Sequence, residues 1–329
     1  MASASVTVDS GTRPSPPGRV PAFLARLRRG DEIAHLITLT AAAIILLITT
    51  LLVYELYVNS TQAQHAFGWH FLTGRVWDPV AENFGALPFI FGTIVSSALA
   101  LIIAVPIGVG AAIFLAELAP TRISNALTFV IELLAAIPSV IYGLLGIFAL
   151  VPLLRDPIMP FLKNTLGFLP LFQGPIYGVS MLAGGVVLAI MIVPFIIAVS
   201  RDVLIAVPVE QREGALAVGA TKWESTWQVV VPYARVGIFA SIFLALARAL
   251  GETMAVTMVI GNDPRISASL FAPGYSIAAV IANEFTEATG HIYLQALIEL
   301  GLVLFILTIV INALARIAIL TTTRKGTAH

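Results

Sequence analysis

Long apolar runs dominate the pattern of hydrophobic and polar positions along the chain. A helix of about 20 apolar residues is long enough to cross roughly 30 Å of hydrocarbon. Six runs reach this length, and segments rich in Pro, Gly or charge separate them. They predict six transmembrane helices, with approximate bounds at His35–Val58, Pro88–Leu118, Ser124–Leu154, Tyr177–Ser200, Val236–Ile260 and Leu294–Leu320.

The segment before the first helix is polar. Residues 1–20 are rich in Ser, Pro, Gly and Thr, a composition typical of disordered tails. Residues 22–29 place three arginines beside apolar side chains, which suits a short amphipathic helix on a membrane surface. The first apolar run is too long for a signal-peptide core, so we interpret it as a retained helix. The predicted organisation is a basic N-terminal tail over residues 1–30, a transmembrane domain over 31–320 and a short tail over 321–329.

Composition supports the membrane assignment and excludes other classes. Apolar residues make up 58% of the chain, charged residues only 11%, and the mean hydropathy is +0.96. A soluble domain usually contains about 25% charged residues, so an ordinary soluble enzyme or a nucleic-acid-binding protein is excluded. There is no cysteine, which removes disulfides, thiolate metal sites and cysteine nucleophiles. The predicted fold class is all-α, a polytopic membrane helical bundle in a lipid bilayer.

The distribution of basic residues predicts the orientation, because cytoplasmic loops of membrane proteins carry an excess of Lys and Arg. With the N-terminus inside, 13 of the 18 basic residues are cytoplasmic, 4 are outside, and Arg248 lies within a helix. Both termini are therefore expected in the cytoplasm. The outer segment Arg155–Ile176 is rich in Pro and Gly and is expected to be partly re-entrant. No group of histidines or carboxylates has metal-ligand spacing, and no catalytic set is present, so neither a metal site nor an enzyme is predicted.

The cytoplasmic segment between the fourth and fifth helices, at about residues 207–232, contains strong local signals. Pro208 suits the first turn of a helix, and Gly219 suits a helix C-terminus that needs positive φ. Thr221 and Glu224 have the spacing of a capping box that starts a second helix, and Pro232 is expected to bend or end that helix. Taken alone, this pattern fits either a linker or a docking element.

A resemblance favours the docking element. Glu213-Gly214-Ala215, followed by three residues, Gly219, nine residues and Val229-x-Val231-Pro232, resembles the EAA loop of ABC-importer permeases. Only Gly214 departs from the family pattern, where Ala is usual. The resemblance implies the type I permease fold and a coupling helix that docks on a nucleotide-binding subunit. The implied coupling residues are Glu213, Gly214, Ala215, Leu216, Gly219 and Pro232.

The fifth predicted helix contains Arg248 and, four residues later, Glu252. A charge within the hydrocarbon costs about 2.5 to over 10 kcal/mol, so it needs an acidic partner, a wet cavity or an anion. On a continuous helix the two side chains share a face and can form an ion pair. Either the pair only neutralises itself, or Arg248 binds an oxyanion in transit while Glu252 holds Arg248 between cycles. Glu132, in the third helix, either lines the pathway or extends to water near the cytoplasmic interface.

The stretch from Leu246 to Val256, continuing to Ile260-Gly261-Asn262, resembles the phosphate permeases of ABC importers, as does Glu132 to Ser139. The resemblance implies import of inorganic phosphate through a pore shared with a second permease subunit. It also implies a dimer of ATPase subunits and an extracytoplasmic phosphate-binding protein. No Gly-x-x-x-x-Gly-Lys-Ser/Thr run is present, so no cofactor is expected on this chain and ATP belongs to the partner. The alternatives are another oxyanion, such as sulfate or molybdate, and a proton-coupled carrier with Glu252 as its proton site.

Overall fold

The computed structural model describes residues 31–324, and the side chains of residues 34–317. The predicted N-terminal tail and its amphipathic helix lie outside the described residues, as does most of the C-terminal tail. The structure is almost entirely helical. In chain order its helices are α1 Asp31–Asn59, α2 Thr61–Phe67, α3 His70–Thr73, α4 Leu87–Ile113, α5 Thr121–Ala135, α6 Ser139–Leu145, α7 Val151–Leu153, α8 Met159–Leu166, α9 Met181–Ile205, α10 Val209–Ala217, α11 Lys222–Ser225, α12 Val231–Leu250, α13 Met254–Val259, α14 Ile277–Glu284 and α15 His291–Arg324. A short antiparallel hairpin pairs β1 Trp77–Asp78 with β2 Asn83–Phe84, and Pro170–Phe172 forms a 3-10 turn.

Six helical stretches within the described residues are long and apolar enough to span a membrane, which confirms the predicted fold class. Four of them agree with the predicted helices within a few residues, and the other two differ. The last helix extends to Arg324, beyond its predicted end. The six stretches are Ala34–Asn59, Leu87–Leu118, Ser139–Leu166, Met181–Ile205, Lys222–Leu250 and His291–Ile317.

The third predicted helix is wrong as a single element. Helix α5 ends at Ala135, and α6 begins after Pro138. Pro138 has no N–H and disfavours the helical conformation at the residue before it, so the chain breaks here instead of bending. The long stretch then continues to Leu166, through a segment that was expected to be partly re-entrant.

The fifth predicted helix also differs from the structure. It begins at Lys222, much earlier than predicted, and ends at Leu250. Gly251 follows as the C-terminal cap, and α13 starts again at Met254. Hydropathy could not locate this break because the residues on both sides are equally apolar.

Four π-helical segments occur in the described part of the chain, and each ends two residues before a proline. A proline cannot donate to the carbonyl four residues earlier, and its ring collides with that carbonyl. A widened π turn moves the carbonyl away, and a helix continues past the proline after three of these segments, whereas the chain leaves the helix at Ala119 after Phe114–Leu118. Pro232 therefore does not end its helix. The segments are Phe114–Leu118, Gly146–Leu150, Leu154–Ile158 and Thr226–Val230, and the prolines are Pro120, Pro152, Pro160 and Pro232.

The chain forms two compact units, Met1–Glu55 and Leu56–His329. The described part of the first unit is the apolar N-terminal portion of α1. In the second unit, α9 is the central helix, with 67% of its most apolar window buried, against at most 33% for any other candidate span. It packs against α4, α5, α12 and α13. Ser180 begins α9 by accepting a hydrogen bond from the Ala183 N–H at 3.2 Å.

An aromatic cluster forms a second core beside the hairpin. Trp77 contacts Phe84 and Phe89 edge-on, with ring centroids 4.8 Å apart in both pairs. The Glu284 carboxylate accepts hydrogen bonds from Trp77 Nε1 at 2.8 Å and from the Tyr293 hydroxyl at 2.7 Å. These contacts join the hairpin to α14 and α15, so Trp77 is part of a folded core.

Candidate functional site

Two helices begin side by side in the second unit, each directly after a break in the chain. A Cβ atom on Gly143 of α6 would lie 3.1 Å from Ala255 Cα of α13, and one on Gly146 would lie 2.8 Å from Val259 Cγ1. The later glycine meets the later residue of α13, so α6 and α13 run parallel. The two glycines permit this close approach. The breaks before α6 and α13 therefore lie next to each other.

The antiparallel pair of α9 and α12 gives the depth of Arg248. The hydroxyl oxygens of Ser200 and Ser241 are 2.6 Å apart, which sets the two helices in register. Arg248 lies two turns beyond Ser241, or about 10 Å along α12. Because α9 runs antiparallel to α12, the same distance along α9 leads from Ser200 back to Val193, which is the midpoint of Met181–Ile205. Arg248 is thus level with the middle of the central helix.

The Arg248 side chain is exposed in this single chain. Among the described residues, no ion pair within 4.0 Å and no hydrogen bond involves its guanidinium. Tyr142 of α6 lies within the electrostatic range of Arg248. The ion pair expected between Arg248 and Glu252 is absent, because α12 ends between them and the two residues no longer share a helix face.

Polar side chains satisfy backbone groups that the two breaks leave open. Glu252 Oε1 accepts a hydrogen bond at 3.2 Å from the Ala255 N–H in the first turn of α13. Across the other break, the Tyr142 hydroxyl donates at 2.6 Å to the Leu134 carbonyl near the end of α5. Glu252 is therefore a capping residue in this conformation. The residues next to Tyr142 in the sequence form no pattern that predicts this hydrogen bond to Leu134.

Glu132 lies in the last turns of α5, and its side chain is exposed. The structure does not join it to Arg248 or Glu252 by a hydrogen bond or ion pair within the described residues. A further acid, Glu299, was not singled out in the sequence, although it lies inside the sixth apolar run. It is 7% exposed, and its Oε2 atom has no hydrogen-bond partner among the residues described.

The segment from Pro208 to Pro232 folds as its local signals predict, with two differences at its prolines. Pro208 is the N-terminal cap of α10, just before the first turn, and Pro232 follows a π turn within a continuing helix. Gly219 has φ of 91°, as predicted. The capping box is complete: Thr221 Oγ1 accepts from the Glu224 N–H, and Glu224 Oε2 accepts from the Thr221 N–H at 2.8 Å.

The surface of α10 is open. None of its residues is buried, and Glu213 and Leu216 are exposed, while Ala215 is half-buried. A Cβ atom on Gly214 would meet no atom within 4 Å. Three apolar side chains are exposed at this end, Val209 at 57%, Leu216 at 45% and Val218 at 85%. Small and apolar residues that none of the described residues covers make α10 a suitable surface for another protein.

Arg212 on α10 is a residue that the sequence patterns did not single out. Its Nη2 atom is 2.8 Å from Glu117 Oε1 in the π turn after α4. The same guanidinium donates to the carbonyls of Leu204 and Val207 at the end of α9. An arginine next to the EAA pattern was visible in the sequence, but its partner lies 95 residues away and only the fold brings them together.

The architecture defines a class of protein, a multi-pass membrane permease subunit of the ABC importer type. More narrowly, the chain belongs to the family of binding-protein-dependent transport system inner membrane components, whose model matches residues 104–320. One chain of a bacterial alginate ABC transporter, solved with an alginate pentasaccharide-bound periplasmic protein, superposes with a TM-score of 0.57. It covers 89% of this chain and 98% of its own length at 15% identity, which supports the fold alone.

Relatives with one shared name match most of the chain. A phosphate transport system permease protein PstC of Mesorhizobium japonicum is 48% identical over 90% of this chain and 91% of the relative. A PstC protein of Haemophilus influenzae is 47% identical, covering 84% and 89%. A probable PstC protein of Methanocaldococcus jannaschii is 38% identical, covering 87% and 92%. The resemblance to phosphate permeases noted around Arg248 is thereby confirmed.

Proposed function

We propose that this chain is a permease subunit of an ATP-driven importer of inorganic phosphate. It forms half of the translocation pore and contributes no ATP site of its own. Relatives named PstC, up to 48% identical over nine tenths of the chain, support this assignment. ATP hydrolysis takes place on a separate subunit in this proposal, and the chain acts by changing shape when that subunit does.

The observation that carries the proposal is the position of the Arg248 guanidinium, level with the middle of α9 and beside two helix breaks, where no described residue pairs with it. Such a charge within the hydrocarbon requires water, an acidic partner or an anion. A guanidinium binds tetrahedral oxyanions with two parallel hydrogen bonds and stays charged when desolvated. Arg248 is therefore proposed to bind phosphate in transit. Glu252 and Glu132 are proposed to border the same pathway.

The proposed partners follow from the exposed surface of α10 and from the family. A PstB-like ATPase dimer docks on Glu213, Gly214, Ala215 and Leu216, while Gly219 and Pro232 set the path of the chain around the docking helix. A PstA-like permease subunit completes the pore, and a PstS-like binding protein delivers phosphate from outside. The proposed location is a bacterial cell membrane, with both termini in the cytoplasm.

Uptake of radiolabelled phosphate tests this function. A strain that lacks the chain is complemented with the wild-type protein, and uptake is followed with and without excess unlabelled anions. We expect complementation to restore uptake, unlabelled phosphate to compete, and sulfate and molybdate to compete at least about tenfold less well. Uptake should depend on ATP and persist when the proton gradient is collapsed. Equal competition by sulfate would contradict the proposal. So would a loss of uptake when the proton gradient is collapsed and ATP is still present.

A further inference from the structure

Arg212 connects three elements of the second unit: α10, on which it lies, the π turn after α4, and the end of α9. Its Nη2 and Nε atoms lie 2.8 and 3.2 Å from Glu117 Oε1, so two guanidinium nitrogens donate to the carboxylate in the π turn after α4. Its Nη2 atom also donates to the Leu204 carbonyl at 2.8 Å, and Nη1 donates to Val207. These carbonyls belong to the last turn of α9 and the residue after its cap, where intrahelical donors are lacking.

The Arg212–Glu117 ion pair differs in two ways from three other ion pairs among the described residues. The two side chains are only 21% and 11% exposed, so water screens them little. Arg155–Asp156, Arg201–Asp202 and Arg265–Asp263 each join near neighbours in sequence and therefore hold no two elements together. Of these four ion pairs, Arg212–Glu117 is the one that connects distant segments.

Besides the contacts of Arg212, helix α10 packs against α11 and the π turn Thr226–Val230. It contains no buried side chain, and a groove of about 430 Å³ separates part of it from the ends of α4 and α9. Ile205, Leu216 and Thr226 are among the residues that line this groove. A short helix without a buried face is held by its polar contacts, since burial normally supplies most helix stability in proteins. The contacts of Arg212 are the ones that run directly to α4 and α9.

We propose that Arg212 is a positioning residue that ties α10 to the inner ends of α4 and α9, with Glu117 as its anchor. A displacement of α10 then moves both helices, because the bidentate bond and the two carbonyl contacts resist separation. Without them, α10 would move while α4 and α9 stay behind. The inference rests on the proposed function, since an ATPase subunit must push or pull α10.

The main experiment uses the complete reconstituted complex and measures ATP hydrolysed per phosphate imported. Arg212→Lys keeps the charge but loses the fork, and Glu117→Gln keeps one acceptor but loses the charge. We expect each variant to raise the ratio by roughly threefold or more, because a charged hydrogen bond is lost. The double variant should be no worse than either single one, since both remove the same interaction. Arg122→Lys is the control, because Arg122 is exposed and has no described partner.

A second measurement does not depend on the substrate. Backbone hydrogen exchange of Val209–Ala217 in the purified permease should be roughly tenfold faster in both single variants than in wild type or Arg122→Lys. If the wild-type complex fails to import phosphate, the proposed function is wrong, but exchange still decides whether Arg212 holds α10. An unchanged ratio, unchanged exchange, or effects that add in the double variant would each overturn the positioning role. A merely structural defect would lower ATPase and import together and leave the ratio unaltered.

Discussion

At the scale of single residues, Arg248 and Glu252 show how a short break changes the meaning of a sequence pattern. Four residues on a continuous helix bring two side chains onto one face. Here α12 ends at Leu250, so Glu252 caps α13, and Arg248 has no counter-charge within 4.0 Å in the part of the chain that the structure describes. The sequence pattern singled out both residues, but their pairing depended on a helix that is not continuous.

Substitution of Arg248 should reduce transport without preventing folding, because the side chain is exposed in the isolated chain. We expect Arg248→Gln to lower phosphate uptake at least about tenfold, since the charge and the fork are both lost. Arg248→Lys keeps the charge and should retain part of the activity. Uptake is measured at matched levels of membrane protein. Wild-type uptake by Arg248→Gln would remove this residue from the pathway.

Glu252 can be tested by separating its capping role from its charge. Glu252→Gln keeps an oxygen that can accept the Ala255 N–H, so uptake should remain close to that of wild type. Glu252→Ala loses the cap and should destabilise the purified chain by about 1 kcal/mol, measured as a lower thermal midpoint in detergent. If Glu252→Gln alone abolishes uptake, the carboxylate has a charge-dependent role, as a proton site or counter-ion.

At the scale of elements, the contact between α6 and α13 depends on glycine. In Gly143→Ala, the new Cβ would lie 2.6 Å from the Met258 sulfur and 3.1 Å from Ala255 Cα, so the helices must separate. We expect a loss of about 1–3 kcal/mol and reduced uptake. Gly110→Ala is the matched control, because its Cβ would meet nothing within 4 Å. Equal thermal midpoints for the two variants would argue against close packing at Gly143.

The proposed docking role of α10 can be tested without disturbing the packing of the described residues. The space around Gly214 is open, so Gly214→Leu should fold normally and still block a close approach by an ATPase subunit. We expect ATPase activity that is uncoupled from uptake, and the same outcome for the charge reversal Glu213→Lys. Gly214→Ala introduces the residue usual in the family and should remain coupled. Normal transport by Gly214→Leu would exclude this surface as the docking site.

Local chemistry predicted this region well because its signals act between near neighbours. The Thr221–Glu224 capping box and the positive φ of Gly219 need only a few residues to form. The breaks before α6 and α13 were missed because they replace helical hydrogen bonds with bonds from distant or unexpected side chains, such as Tyr142 to the Leu134 carbonyl. Hydropathy averages over such interruptions.

At the scale of the whole molecule, the orientation predicted from basic residues can be measured directly, because the chain has no cysteine. Val80, 95% exposed after the hairpin's first strand, and Val218, 85% exposed after α10, are suitable labelling sites. We expect Val80→Cys to react with a membrane-impermeant maleimide in intact cells, and Val218→Cys only after permeabilisation. The reverse pattern would invert the proposed topology and place α10 on the side without ATP.

The sequence by itself determined that this is a membrane protein with six apolar helices, because hydrophobic length and scarcity of charge are properties of composition. It also determined the local structure of residues 207–232, whose caps and turn form between near neighbours. Only the tertiary structure decided where two of the helices break, that Arg248 stands without Glu252, and that Arg212 reaches Glu117. These features depend on contacts between residues far apart in the chain, and such contacts leave no trace in local hydropathy or spacing.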